Sequence, residues 1–152
     1  MGPPDTVGLS GRSVMLLNEL LQVIDPVAAE GVPAVRIDGL TCDSRKVTPG
    51  TLFFAIPGAV ADGHAYIEKA LESGAAAVVL EDPSRAPAAV ISVKVPDSRV
   101  AMARLSSRFY GDPTADLPLV GITGTHGKTT TTYLVDAIMA AAGMPPAAVG
   151  TI

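Results

Sequence analysis

Tryptophan is absent, cysteine occurs once, and aromatic residues make up only 4% of the 152-residue chain. Without indole rings and with three tyrosines and three phenylalanines, the chain has no platform on which single-stranded bases would stack. A formal net charge of −4 removes the basic footprint that holds a phosphate backbone. Nucleic acid is therefore excluded as a partner. The lone Cys42 permits neither an intrachain disulfide nor a cysteine-rich metal centre, and agrees with a reducing compartment. No apolar run reaches the roughly 18 residues of a membrane span, so no membrane association is expected. The first residues, Met1 to Gly11, are rich in glycine and proline and lack the basic start and apolar core of a signal peptide.

What is present is apolar residues, 48% of the chain against 17% charged, the balance of a well-buried protein rather than a disordered one. Ser13 to Ile24 carries Val14, Leu16, Leu17, Leu20, Leu21 and Ile24 at helical spacing and predicts a packing helix. Ala34 to Cys42 and Thr51 to Ile56 predict strands, separated by the Pro49-Gly50 turn. Asp62 is the expected N-cap of a helix running to about Ser73, stopped by Gly74. Ala75 to Leu80 and Ala89 to Val95 predict two more strands. Asp97 then opens a helix to about Tyr110, with Val100, Ala103, Leu105 and Phe109 on or near its inner face. The polar, proline-bearing stretch from Gly111 to Pro118 marks a boundary, giving domains at 1–112 and 113–152.

The second domain opens on the chemistry. Leu117 to Ile122 reads as a buried strand and Thr129 to Ala142 as an amphipathic helix, so Gly121 to Thr130, Gly-Ile-Thr-Gly-Thr-His-Gly-Lys-Thr-Thr, falls on a strand-to-helix turn. Gly124 and Gly127 let backbone approach an anion closely, and the first N–H groups of the helix have no intrahelical acceptor. Lys128 supplies a charge for outer phosphates, and the Thr129 hydroxyl is placed to bind Mg²⁺ bridging them, with Thr130 adding a second hydroxyl. The ligand this predicts is a nucleoside triphosphate. The spacing, Gly-x-x-Gly-x-x-Gly-Lys-Thr, is neither the ordinary Walker pattern nor that of a dinucleotide fold. One helix and the start of a strand after it, Ala147 to Ile152, do not complete a parallel-sheet domain. The chain is accordingly expected to be the N-terminal piece of a longer enzyme and inactive alone.

Taken with the N-terminal module, the chain resembles the Mur ligases, the ATP-dependent amide-forming enzymes of peptidoglycan synthesis. The residues that carry the resemblance are Thr123 to Thr130, Thr41-Cys42-Asp43-Ser44-Arg45, Pro49 to Ala55, Asp62-Gly63-His64 and Gly74 to Val79. His126 stands where asparagine is common in the family's loop. The resemblance implies an α/β protein: a small N-terminal domain binding a UDP-sugar, followed by the truncated start of a P-loop-type, ATP-binding parallel-sheet domain. It implies ATP contacts from Gly124, Thr125, His126, Gly127, Lys128, Thr129 and Thr130, with Lys128 catalytic and Thr129 on the metal. It implies UDP-sugar contacts from Cys42, Ser44, Ala59, Val60 and Ala61.

The implied substrates are UDP-N-acetylmuramoyl-L-alanyl-D-glutamate and an amino acid, diaminopimelate or lysine, joined through an acyl phosphate by a monomeric cytoplasmic enzyme that serves cell shape and division. Thr129 to Leu134 and Val149 to Ile152 look more like the member that adds the third stem residue than the one that adds D-alanyl-D-alanine. The residues leave bland alternatives open. Ser44 could be a turn hydroxyl, Arg45 could pair with Asp43 or Asp38 rather than with phosphate, Cys42 could be a small apolar contact, and His64 a surface or capping residue. Two wholly different classes also remain: another phosphate-loop NTPase, and a non-catalytic nucleotide-sugar-binding module.

Overall fold

The structure, a computed structural model, describes residues 14–24, 32–58, 61–115, 117–144 and 146–150. Contacts between Cα atoms divide the chain after Ala115 into two compact units.

The first unit is built on a parallel sheet in the order β3 (Gly39–Thr41), β4 (Thr51–Phe54), β5 (Ala75–Leu80), β6 (Ser92–Lys94). Successive side chains of a strand face opposite sides, and the sequence loads both. Leu52, Phe54, Ala77, Val79, Val93 and Val95 lie in one buried cluster, and Phe53, Ala55, Val78 and Leu80 in another. Both faces must then be covered, as parallel sheets require. The first is covered by α1 (Leu17–Leu20) and α3 (Ser98–Phe109), through Leu17, Leu20, Ala101, Leu105 and Phe109. The second is covered by α2 (Ile67–Glu72), through Ile67 and Ala70. The result is a three-layer α/β unit of the expected class.

Several boundaries move for identifiable reasons. The helix expected over 13–24 is a strand followed by short helical turns: β1 (Met15–Leu16) pairs antiparallel with β2 (Arg36–Ile37), and the Leu17 N–H donates to the Val35 carbonyl at 2.8 Å. The backbone bonds that a helix would use are taken by that hairpin-like pairing, so Leu17, Leu20 and Leu21 are buried while Val14 and Leu16 are exposed. Ser13 lies outside the described residues. The strand expected over 34–42 is split at Asp38, whose N–H donates to Gly50 O at 2.9 Å, and its two halves join different sheets. The strand expected from Ala89 is shortened to Ser92–Lys94, because Val90 is held in a turn on Pro87 O.

Along α3 the inward stripe is Ala101, Leu105 and Phe109, spaced by four, whereas Val100 and Ala103 face solvent. Asp62 caps as expected, accepting the His64 N–H, although the turn it opens is a 3₁₀ turn (Gly63–Tyr66) leading into α2. Gly74, with φ +97°, ends that helix.

The second unit contains α4 (Lys128–Ala141), one residue earlier at each end than the sequence suggests. Residues 117–122 and 147–150 form no strand, contrary to expectation, and Thr151 and Ile152 lie outside the described residues. Leu119 is 73% exposed and no residue of α4 is buried. A strand exists only by pairing, and nothing among the described residues pairs with these segments.

The core of the first unit should be sensitive to cavities. Phe54→Ala removes a fully buried ring from the face covered by α1 and α3. Urea titration should show a loss of about 3–5 kcal/mol. A loss below about 1 kcal/mol would mean that the ring is not packed as described.

Candidate functional site

Because β3 to β6 run parallel, the segments leaving their C-terminal ends lie along one edge of the sheet, the edge where open α/β sheets hold ligands. These segments are polar and tightly wound. After β3, Asp43 caps a 3₁₀ turn (Ser44–Lys46) by accepting the Arg45 N–H at 3.0 Å. Its carboxylate also takes both Nε (2.9 Å) and Nη2 (2.8 Å) of the Arg45 guanidinium. That side-chain pairing, more than the backbone bond, lowers the Asp43 pKa to about 2 and raises that of Arg45. Of the alternatives open for Arg45, the partner is Asp43; Asp38 instead accepts from Arg36 Nε at 2.8 Å.

Ser44 is 8% exposed at the start of this turn, and Cys42 beside it is exposed. The local turn bond is made by the Asp43 carboxylate rather than by the Ser44 hydroxyl. Cys42 is a free thiol.

After β4 the chain passes through Pro57 and Gly58 to Ala61 and Asp62. Ala59 and Val60 lie outside the described residues. Ala61 is exposed, and its carbonyl comes so close to Gly58 that a Cβ there would sit 2.5 Å from the oxygen. His64 is buried, not a surface residue: its Nδ1 donates to Asp62 Oδ1 at 2.7 Å, which fixes the tautomer, and its Nε2 is buried with no hydrogen-bond partner among the described residues. The His64 hydrogen bond lowers the Asp62 pKa, and Arg85 stands 3.5 Å from the other carboxylate oxygen.

After β5, Asp82 accepts the N–H and hydroxyl of Ser84, which lowers its pKa. Glu81 reaches instead to α3, accepting from both N and Oγ of the fully buried Ser98 at 2.9 and 2.8 Å. Sequence reading placed Asp97-Ser98 at the helix start but did not single out Glu81 or Arg99. Their contacts join residues 17 and 42 positions apart, and no local pattern signals such pairings.

The second unit holds the glycine-rich loop. Gly127 is the N-cap of α4 in the left-handed region, φ +78°, and no side chain caps the helix. Gly124 has φ +150°, also glycine territory. Gly121, the third glycine of the pattern, has neither a positive φ nor a crowded Cβ position. The first N–H groups of α4 are thus left without an intrahelical or side-chain acceptor, aligned with the positive end of the helix dipole. Lys128 folds back over the loop, donating from Nζ to Gly124 O at 2.6 Å. Thr125 Oγ1 and His126 Nδ1 lie 3.2 Å apart. Residues 123–130 are all exposed. Chemically these are open backbone donors flanked by an ammonium and by hydroxyls, an arrangement able to hold an anion.

Residues 36–110 match the family described as Mur ligase family, catalytic domain. The chain belongs to the Mur ligase family. In sequence it is similar to the UDP-N-acetylmuramoyl-L-alanyl-D-glutamate–2,6-diaminopimelate ligase of Geobacter sulfurreducens, with 55% identity over 138 residues, 91% of this chain and 27% of that protein. The chain therefore spans well under a third of the length of such relatives. In fold it is similar to a 2,6-diaminopimelate ligase of the same name (TM-score 0.65, 27% identity, 86% of this chain, 26% of the other). It is similar also to MurF from Acinetobacter baumannii (TM-score 0.65, 25% identity, 84% and 28%). MurF ligase from Thermotoga maritima, solved with ADP, has TM-score 0.54 at 29% identity, covering 67% and 23%.

The Asp43–Arg45 pair can be tested by titration. Carboxyl NMR should place the Asp43 midpoint near 2, and Arg45→Ala should return it toward the ordinary carboxylate range. Since the folded-state pKa is depressed, any stabilisation from this pair is present above the unfolded value and lost as pH falls toward 2. An unshifted midpoint in the unsubstituted chain would show that the pair does not persist in solution.

Proposed function

We propose that this chain is the N-terminal part of an ATP-dependent ligase that joins 2,6-diaminopimelate to UDP-N-acetylmuramoyl-L-alanyl-D-glutamate in peptidoglycan synthesis. What supports the reading is the presence in one chain of the family match over residues 36–110 and a glycine-lysine-threonine loop whose helix start is left open to an anion. The third substrate follows the relative at 55% identity. An equal fold likeness to MurF, at 25% identity, supports a second reading in which the enzyme extends a longer stem peptide with a dipeptide. The identities favour the first.

In this reading, ATP lies with its β- and γ-phosphates on the N–H groups of Gly124 to Thr129. Thr125, His126 and Thr130 line the same turn. Lys128 leaves the Gly124 carbonyl for the phosphates and neutralises charge that develops as the γ-phosphoryl passes to the substrate carboxylate. The Thr129 hydroxyl is a hard oxygen donor exposed on the rim, a fit for Mg²⁺, which keeps most of its shell as phosphate oxygens and water. Bound there, the ion would supply charge neutralisation. The uridine end of the nucleotide sugar rests against Cys42 and Ser44 at the end of β3, with the chain at 59–61 beside the diphosphate. The resulting acyl phosphate is attacked by the amine of the incoming amino acid. The enzyme works in the cytoplasm, where these substrates are made, and as a monomer.

In the full-length enzyme, Lys128→Ala should lower kcat about 10²–10³-fold. Its melting temperature should stay unchanged, because the side chain is exposed. Near-normal turnover would sink the assignment. Phosphate release should require UDP-N-acetylmuramoyl-L-alanyl-D-glutamate and 2,6-diaminopimelate. Release with the UDP-tripeptide and D-alanyl-D-alanine instead would establish the second reading.

A further inference from the structure

The first turn of α3 gathers ties from three directions. Asp97 accepts the N–H groups of Arg99 and Val100 at 2.8 and 2.9 Å, and Ser98 is bound twice to Glu81 at the end of β5. These bonds fix the backbone of Arg99 on the C-terminal edge of the sheet. From there its guanidinium crosses to the segment that leaves β4, donating from Nη2 to Pro57 O at 2.9 Å over a separation of 42 residues. The far end of the same segment is fastened separately. Gly63 N donates to Ile56 O at 2.9 Å, and Asp62 is held by His64 and faced by Arg85. A Cβ at Gly63 would lie 2.4 Å from Ile56 N, so the two ends meet at a closed neck. Arg99 supplies the tie on the entering side.

We propose that Arg99 is a positioning residue for the nucleotide-sugar substrate: by holding the Pro57 carbonyl it sets where the chain after β4 stands on the sheet edge. The proposal rests on the reading that this edge receives a UDP-sugar. Arg99 and Pro57 are both exposed, and an exposed tie of this kind contributes little to stability. It acts on where Pro57 stands beside the sheet edge, and a ligand that binds with Pro57 held there feels the loss of that hold as affinity. The effect should therefore fall on one substrate and leave the fold, ATP and the chemical step alone. A lysine can donate to the same carbonyl, whereas a methionine of similar length cannot.

The test is steady-state kinetics of the full-length enzyme with UDP-N-acetylmuramoyl-L-alanyl-D-glutamate varied. Arg99→Met should raise KM for the nucleotide sugar about 3- to 10-fold, the size of one hydrogen bond. The KM for ATP and kcat should be unchanged, the melting temperature should stay within ~2 °C, and Arg99→Lys should recover most of the affinity. Unchanged KM in Arg99→Met overturns the proposal, as does a parallel loss in kcat or in KM for ATP. Arg99→Lys as impaired as Arg99→Met also overturns it, since the guanidinium would then be acting on something other than that carbonyl. An unsubstituted enzyme that never saturates with this nucleotide sugar overturns the functional reading, and this proposal falls with it.

Discussion

The parallel ladder through β4 is the constraint on which the first unit depends. β4 lies between β3 and β5, all four of its residues are buried, and its alternating side chains feed both clusters. With both faces of the sheet buried, nothing polar can be carried on them without loss of hydration. Polar chemistry is displaced to the strand ends. At the C-terminal end, where four connections leave in the same direction, it collects as a row of capping carboxylates: Asp43, Asp62, Asp82 and Asp97. Each occupies the same local role, accepting backbone N–H groups two or three residues ahead. Arg45 pairs with Asp43 and Arg85 stands 3.5 Å from Asp62, answering part of that negative charge.

What could be read from the sequence follows from the range of the interactions involved. The strands Thr51–Phe54 and Ala75–Leu80, the caps Asp62 and Asp97, and the stop at Gly74 depend on periodicity and on residues within a turn of each other. They were legible. The first helix was not, because the pairing of Met15 with Ile37 comes from 22 positions away and overrides the helical spacing of the leucines. On α3 Leu105 and Phe109 were legible as inward, but Val100 and Ala103 were not placed correctly: Ala101, four residues before Leu105, is the residue that packs with it. At the sheet edge, the turn at Asp43-Ser44-Arg45 announced itself, whereas the burial of His64 and the reach of Arg99 to Pro57 depend on how distant segments meet.

The two units hold their polar groups in opposite ways. The edge of the first unit is ordered by the core beneath it, so its geometry inherits the stability of the whole sheet. The loop before α4 needs no core. Its shape is set by the φ angles of Gly124 and Gly127 and by the hydrogen bonds of a single helix, all within about a dozen residues. This is why the glycine turn and the open helix start are formed on a helix with no buried residue.

Lys128 resting on the Gly124 carbonyl has a consequence for selectivity. A cation that already has an oxygen to hold does not gain its full Coulombic reward when an anion arrives, only the excess over the neutral dipole it abandons. Singly charged anions offer a small excess and phosphate chains a large one. In the proposed phosphate-binding role, self-occupancy of this sort would set a threshold that the commonplace ions of a salt solution do not pass, while keeping the lysine bent over the turn when the site is empty.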